Sequence, residues 1–486
     1  MSAGPRLLGM LACAFACASC TVGPDFRAPD PPAGDRYVRG PVPAADGMPR
    51  LVPERDVPAE WWVVFGAPEL DALVRRALQQ SPTLDLARAR LAQAQELRAA
   101  RAGATAYPQV DAAFGAVRQR IDPATFGFPQ APNPGPFNVF SLGADVSYNL
   151  DLFGGTRREL EALAAEVDYQ GYELEAARLS LATNVVTTAV RRASLAAQID
   201  ATSGILAAQE HQLAIVEARH RAGGVPWLDV QNQRALVAQT EGALPPLRAQ
   251  WAQAGHVLAV LLGEPPADAE LPEIRLTALA LPAELPLRVP SELVRQRPDI
   301  RASEALLHKA SANVGIATAD LYPKLVISGS FSSSQLNLSE VLGSGINIWS
   351  IGANLLQPLF RGGELQARKR AAEAAYEQAM AAYRQSVLLG LQDVADVLRD
   401  LEADGGAYAA RAERAARADD VFRITLARYD AGAVSQLAVL DADRNRLQAE
   451  IDRIQADASR YADAVALFQA VGGGWTSGVG SLGSDP

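Results

Sequence analysis

Hydrophobic and polar positions alternate strictly over 139–152. Phe140, Leu142, Ala144, Val146, Tyr148, Leu150 and Leu152 fall on one side, and Ser141, Gly143, Asp145, Ser147, Asn149 and Asp151 on the other. A period of two sustained over that length predicts a β-strand with one apolar and one polar face. The alternation returns with Trp349, Ile351, Ala353 and Leu355 against Ser350, Gly352 and Asn354. Further strands near 109–120 and 325–335 precede these two. The intervening loops carry Pro123, Pro129, Pro132, Pro134 and Pro136 in the first case and Ser339 to Gly345 in the second. Two β-hairpins are thus expected, at 107–152 and 323–360. Their apolar faces suit a lipid-facing barrel around water, or equally an ordinary hairpin laid on a soluble core. Four strands are too few to close a barrel that holds water, so the first reading requires several chains to share one. Three chains would bring twelve strands.

Between the hairpins the period changes. Residues 156–222 and 364–431 contain no proline and are dominated by Ala, Leu, Arg, Glu and Gln. These are the best helix formers, and each stretch predicts a helix about 100 Å long. Within 387–401, Val387, Leu388, Leu391, Val394, Leu398 and Leu401 recur every three or four residues, a seam for a neighbouring helix, with Asp393, Asp396, Arg399 and Asp400 on other faces. Helices of this length cannot bury their stripes alone and need each other or other chains. Gly223-Gly224 and Gly432 mark reversals, so turns are expected at 223–226 and 432–434, with return helices near 228–262 and 435–470.

The chain also says things twice. Leu73-Val74-Arg75 followed by Ser81-Pro82 recurs as Leu293-Val294-Arg295 followed by Arg297-Pro298. Ala106-Tyr107-Pro108 recurs as Leu321-Tyr322-Pro323, and Leu152-Phe153-Gly154-Gly155 as Leu359-Phe360-Arg361-Gly362-Gly363. Arg219-x3-Gly223-x-Val225-x2-Leu228 recurs as Arg428-x3-Gly432-x-Val434-x2-Leu437. Four echoes in one order, roughly 210 residues apart, define two copies of one structural unit, 61–275 and 276–475. Residues 20–60 are proline-dense and predict an extended tether, and 476–486 a flexible tail.

The 486 residues carry a net charge of −10, which argues against a nucleic-acid partner. No stretch reaches the roughly 18 uninterrupted apolar residues of a spanning helix, so any membrane crossing must be a closed β-barrel. Arg6, the apolar run from Leu7 to Ala16 and Cys17-Ala18-Ser19 read as an export signal over 1–19. Ala18-Ser19-Cys20 resembles a lipobox, although Cys17 stands where that motif usually has leucine. The resemblance implies a lipid on the Cys20 thiol, and Thr21 after it favours the outer membrane; a plain signal peptide cut nearby is the alternative. Cys13, Cys17 and Cys20 are the three cysteines, so a mature chain anchored by Cys20 has no internal disulfide or catalytic thiol. His211, His220, His256 and His308 show no metal-ligand spacing. Gly154-Gly155 and Gly362-Gly363 lack the Lys-Ser/Thr of a phosphate loop and read as strand-to-helix bends. No enzyme, metal or cofactor is expected beyond a covalent lipid on Cys20.

Several motifs resemble the TolC-like outer-membrane factors, within them the lipoprotein branch (OprM/NodT type) that serves RND drug-efflux pumps. They are Cys20-Thr21-Val22-Gly23-Pro24-Asp25-Phe26, Trp61-Trp62-x2-Phe65-x2-Pro68-Glu69-Leu70-Asp71, Arg297-Pro298-Asp299-Ile300-Arg301-Ala302 and Arg428-Tyr429-x2-Gly432. The resemblance runs from residue 20 to about 475. It implies a mainly α fold with a small membrane β part: a homotrimer whose twelve-stranded β-barrel continues into a twelve-helix periplasmic α-barrel. It further implies a passive duct that meets a periplasmic membrane-fusion adaptor and an inner-membrane RND pump. Matched residue by residue, Leu437 falls on an apolar ring and Asp441 and Arg444 on a charged gate pair, with Arg428 and Tyr429 as candidates for bracing the closed tip. Asp441 and Arg444 are three apart and can share a helix face; on three chains around an axis they would make a charged constriction. The plainer alternative is a solvated ion pair. Two other roles stay open at this point: the outer-membrane channel of type I protein secretion, and a coiled-coil lipoprotein without a pore.

Overall fold

The computed structural model describes residues 21–474 apart from 33, 35, 41–48, 54–55, 342, 344 and 345. The expected signal 1–19, Cys20 and the tail 476–486 lie outside the described residues. In chain order the elements are β1 (Arg50–Pro53), α1 (Pro68–Gln80), α2 (Pro82–Ala106), β2 (Gln109–Arg120), β3 (Pro136–Leu150), α3 (Gly155–Arg221) and α4 (Trp227–Leu262). Then follow β4 (Glu284–Leu287), α5 (Pro290–Gln296), α6 (Pro298–Ala319), β5 (Lys324–Gln335), β6 (Ile346–Leu356), α7 (Glu364–Asp430) and α8 (Gln436–Ala470). The chain forms two compact units, and each takes segments from both copies of the repeat. One comprises Met1–Pro29, Leu91–Tyr169 and Ser303–Tyr383; the other Asp30–Arg90, Gln170–Ala302 and Arg384–Pro486.

The first unit holds the two hairpins as one antiparallel sheet of order β2-β3-β5-β6. The register sorts its faces. Ala112, Ala144, Phe331 and Trp349 form one cross-strand row, and Val110, Val146, Gly329 and Ile351 the next. On the other face Asp111, Asp145, Ser330 and Ser350 stand abreast, with the two serine hydroxyls 2.8 Å apart. Carboxylates directly opposite one another repel, so that face belongs in water. Of the described side chains in these four strands only Ser333 is buried. Trp349 is 72% and Ile351 77% exposed. Among the described residues no soluble core lies under either face, which favours the lipid-facing reading of the hairpins.

β3 stops at Leu150, two residues short of the expected end. Asp151 does not line the polar wall: its carboxylate accepts from the Arg157 backbone N–H at 2.9 Å and so caps α3. Gly154, at φ 79°, makes the bend between strand and helix.

The start of the tether is docked on this unit. Val22 N–H donates to the Phe153 carbonyl at 3.1 Å, and the Phe26 ring stacks on His308 at 4.4 Å. Arg158, with its side chain 6% exposed, pairs with Asp25 at 2.6 Å and Glu161 at 2.7 Å, and Glu161 in turn meets His308 at 2.8 Å. Gly23 passes so close to α6 that an added Cβ would lie 2.5 Å from Gly315 Cα.

In the second unit each expected leading helix is two helices. α1 and α2 part at Ser81-Pro82, α5 and α6 at Arg297-Pro298, because a residue before proline is driven to extended backbone. Trp61 packs flat on Phe468 at 5.2 Å, and Phe65 meets both rings edge-on to complete a buried cluster. The Arg297 guanidinium reaches Asp299 at 2.8 Å, Asp393 at 2.7 Å and the carbonyls of Gly390 and Ala470 at 3.3 and 3.2 Å. The Arg-Pro-Asp motif thus ties α5 and α6 to α7 and α8. A short parallel ribbon pairs β1 with β4, an element the alternation did not announce. The α7 seam runs through Val387, Val394, Leu398 and Leu401, all buried. Leu388, expected on it, is 62% exposed, because one further residue turns it about 100° away.

Two predictions follow from packing. Arg158→Ala should expose residues 21–29 to limited proteolysis in the assembled protein, with wild type protected; equal cleavage would show that the arginine does not hold the segment. Asp463 lies in α8, where burial first, then Asp404 and Asp400, push its carboxyl up to about 7. A raised carboxyl stabilises the fold fully below the ordinary carboxylate range and loses that contribution as pH rises through its folded value. Wild type should therefore lose melting temperature between about pH 4 and pH 7, and Asp463→Asn should lack that share of the decline. Parallel curves for the two would refute the assignment.

Candidate gate at the helix turns

α3 and α7 end in the same backbone motif. Gly223, at φ 76°, donates to the His220 carbonyl at 2.9 Å, and Gly224 to that of Arg219 at 2.8 Å. Gly432, at φ 74°, donates to the Tyr429 carbonyl at 2.9 Å, and Ala433 to that of Arg428 at 2.8 Å. This left-handed glycine close satisfies the last helix carbonyls and reverses the chain in both copies. The two turns touch through side chains. Arg219 meets Asp430 at 3.0 Å and lies over the Tyr429 ring at 5.0 Å. Tyr429 is buried, whereas Arg428 is exposed. Arg219, which holds the contact, is the first-copy counterpart of Arg428; the Arg-x3-Gly echo had marked its position without revealing its partner.

The second turn leads into α8. Leu437 is 56% exposed, and Asp441 and Arg444 approach to 3.7 Å with side chains 60% and 46% exposed. Spacings of four and three put all three on one helix face. An ion pair this exposed contributes at most about 1 kcal/mol, so it does not fasten α8; it presents an apolar group and two opposite charges to whatever lies before that face.

Another face of α8 carries polar groups that sequence reasoning missed. Gln436 and Asp443 are buried. Gln436 Nε2 donates to Gln233 Oε1 at 3.0 Å, Gln233 Nε2 to the Gln209 carbonyl at 3.1 Å, and Gln209 Nε2 to Asp443 Oδ2 at 2.6 Å. Arg446 closes the chain on Asp443 Oδ1 at 2.8 Å and lies over the Phe422 ring at 4.3 Å. Polar residues standing at buried helix positions leave no trace in a hydrophobic period.

Elsewhere in the same unit, Arg192 lies 4.4 Å over Trp251 and donates to the Pro272 carbonyl at 2.9 Å beside a cavity of about 830 Å³. The expected site residues do not meet there. His308 is engaged by Phe26 and Glu161, and His220 Nδ1 lies 2.9 Å from the Val225 carbonyl.

An exposed apolar sheet with a polar reverse face, in a chain with two long helix pairs, is an arrangement suited to an outer-membrane channel protein. Comparison with known proteins establishes that class. Residues 73–264 and 289–473 match the family described as outer membrane efflux protein. The pyoverdine export outer membrane protein OpmQ of Pseudomonas aeruginosa is 34% identical over 420 residues, 86% of this chain and 88% of its own. The toluene efflux pump outer membrane protein TtgI of Pseudomonas putida is 28% identical, covering 94% of this chain and 96% of its own. Among solved structures, the outer-membrane channel OprN superposes with a TM-score of 0.84 at 30% identity, over 94% of this chain and all of that one. The chain belongs to the outer membrane efflux protein family. It is an outer-membrane channel component of the kind that serves RND-type efflux, with a TolC-like fold and its helical part in the periplasm.

Replacing Arg219 with alanine should speed amide hydrogen exchange at Gly432–Val434 in low salt. The difference should shrink near 1 M salt, where the screening length falls to about 3 Å. Exchange rates indifferent to the substitution would remove Arg219 from the turn's support.

Proposed function

We propose that this chain is one third of a passive homotrimeric exit duct. Three four-stranded sheets join edge to edge as a twelve-stranded barrel, and three sets of helix pairs make a twelve-helix periplasmic tunnel. The observation that carries the reading is the sheet itself: β2 and β6 each have a free edge among the described residues, and neither sheet face is covered. Open edges of long strands are tolerated only when paired or covered, and in lipid every backbone group must be satisfied, so closure has to come from other copies.

In this assembly an inner-membrane RND pump and a periplasmic membrane-fusion adaptor deliver cargo to the tunnel. The cargo class is small molecules, supported by relatives named for export of pyoverdine and efflux of toluene. Cys20 carries the lipid anchor, a reading supported by the docking of Val22 to Phe26 next to the end of β3. Leu437 and the Asp441–Arg444 pair supply rings of apolar and opposite charged groups around the trimer axis, which narrow the tunnel and filter by charge. Arg219, Asp430 and Tyr429 brace the turn from which α8 departs.

Single-channel recording in planar bilayers tests the reading. Wild type should insert as a low-conductance pore, and Asp441→Ala with Arg444→Ala should raise its conductance and admit antibiotics too large for wild-type cells. A double variant identical to wild type in both measurements would remove the pair from gating. Absence of any pore from either protein would point to a scaffold lipoprotein instead.

A further inference from the structure

We infer that the buried network Gln436–Gln233–Gln209–Asp443–Arg446 is a latch that positions the gate face of α8. The inference rests on the proposed gating role of Leu437, Asp441 and Arg444 and adds the groups that hold them in place.

The geometry makes one helix carry both functions. Gln436 and Asp443, seven residues apart, lie on one face of α8 and are buried; Leu437, Asp441 and Arg444 lie on another and are exposed. Because a helix turns as a rigid body, α8 cannot roll or slide to move the exposed trio without breaking the buried contacts. Those contacts reach three neighbouring helices. Gln209 belongs to α3 and Gln233 to α4, while Arg446 stands over Phe422 of α7 and 3.9 Å from Asp419. Apolar side chains at these positions would bury surface equally well but would tolerate sliding by a fraction of a turn. Directional hydrogen bonds fix a single rotation and register, the use for which buried polar groups are best attested.

The network also has spare capacity. Gln209 Oε1 and Gln436 Oε1 are buried and accept from no protein donor. An asparagine at 443 could therefore keep both links: its carbonyl accepts from Arg446, and its amide donates to Gln209 Oε1 once the Gln209 amide turns over. Alanine at 443 keeps neither. The pair of variants thus separates loss of the hydrogen bonds from loss of the negative charge.

The test uses the full mature protein in planar bilayers, with its melting temperature followed in parallel. Asp443→Ala, and independently Gln233→Leu with Gln436→Leu, each remove two buried contacts and should raise open-state occupancy at least roughly fivefold, the population change expected from losing even one buried hydrogen bond. Asp443→Asn should restore the closed behaviour. The leucine pair is close in volume to the glutamines and carries the test if the alanine variant fails to assemble. If these variants lower the melting temperature but leave conductance unchanged, while Asp441→Ala with Arg444→Ala raises it, the gate stands and the latch is overturned. If Asp443→Asn opens the channel as far as Asp443→Ala, charge and not hydrogen bonding holds the helix, and the latch as described is overturned. If no variant of either group changes conductance, the gate reading fails and the latch with it.

Discussion

Everything in this molecule answers to a sheet that cannot stand alone. Four antiparallel strands place Trp349, Ile351, Phe331 and Val110 exposed on one face, and set Asp111 against Asp145 on the other. The apolar face loses free energy in water at roughly 25 cal/mol for each Å² exposed. The acidic face would lose more in lipid, because an unpaired carboxylate is costly to desolvate. One environment satisfies both at once, a membrane outside and water inside, and the free edges of β2 and β6 then demand neighbours to keep the backbone bonded.

The other features support that arrangement. Arg158 gathers the Thr21–Phe26 segment against α3 and α6, so the residues after Cys20 are fastened beside the end of β3. In the second unit, Arg297 performs a comparable service by joining the start of α6 to α7 and α8. Arg158 is buried and Arg297 largely so, and both are satisfied by carboxylates and carbonyls, the condition under which a buried cation is tolerated. Prolines 82 and 298 break the leading helices at Ser81 and at Arg297, and the second break sets Arg297 against α7 and α8.

Much of this was legible in the residues. Strict alternation located the strands to within a few positions, and the repeat fixed which segments correspond. Proline-free runs set the ends of α3 and α7 to within a residue. Where the pattern gave out, a local interaction had overridden it. Asp151 continues the alternation but caps a helix, and Leu388 fits a three-four spacing yet faces outward because Val387 already occupies the seam. β1 and β4 are too short for any period to show. The candidate gate was legible only in part: Leu437, Asp441 and Arg444 share an exposed face as their spacing implies. The buried partners Gln209, Gln233 and Asp443 come from helices 24 to 234 residues apart in sequence, a pairing that no one-dimensional pattern encodes.

The central claim is that closure comes from copies of the same chain. Native mass measurement of the mature, detergent-solubilised protein tests it most directly. The account predicts a species of three chains that disperses only when the sheet unfolds. A folded monomer stable without detergent, or an assembly of any other copy number, would contradict it.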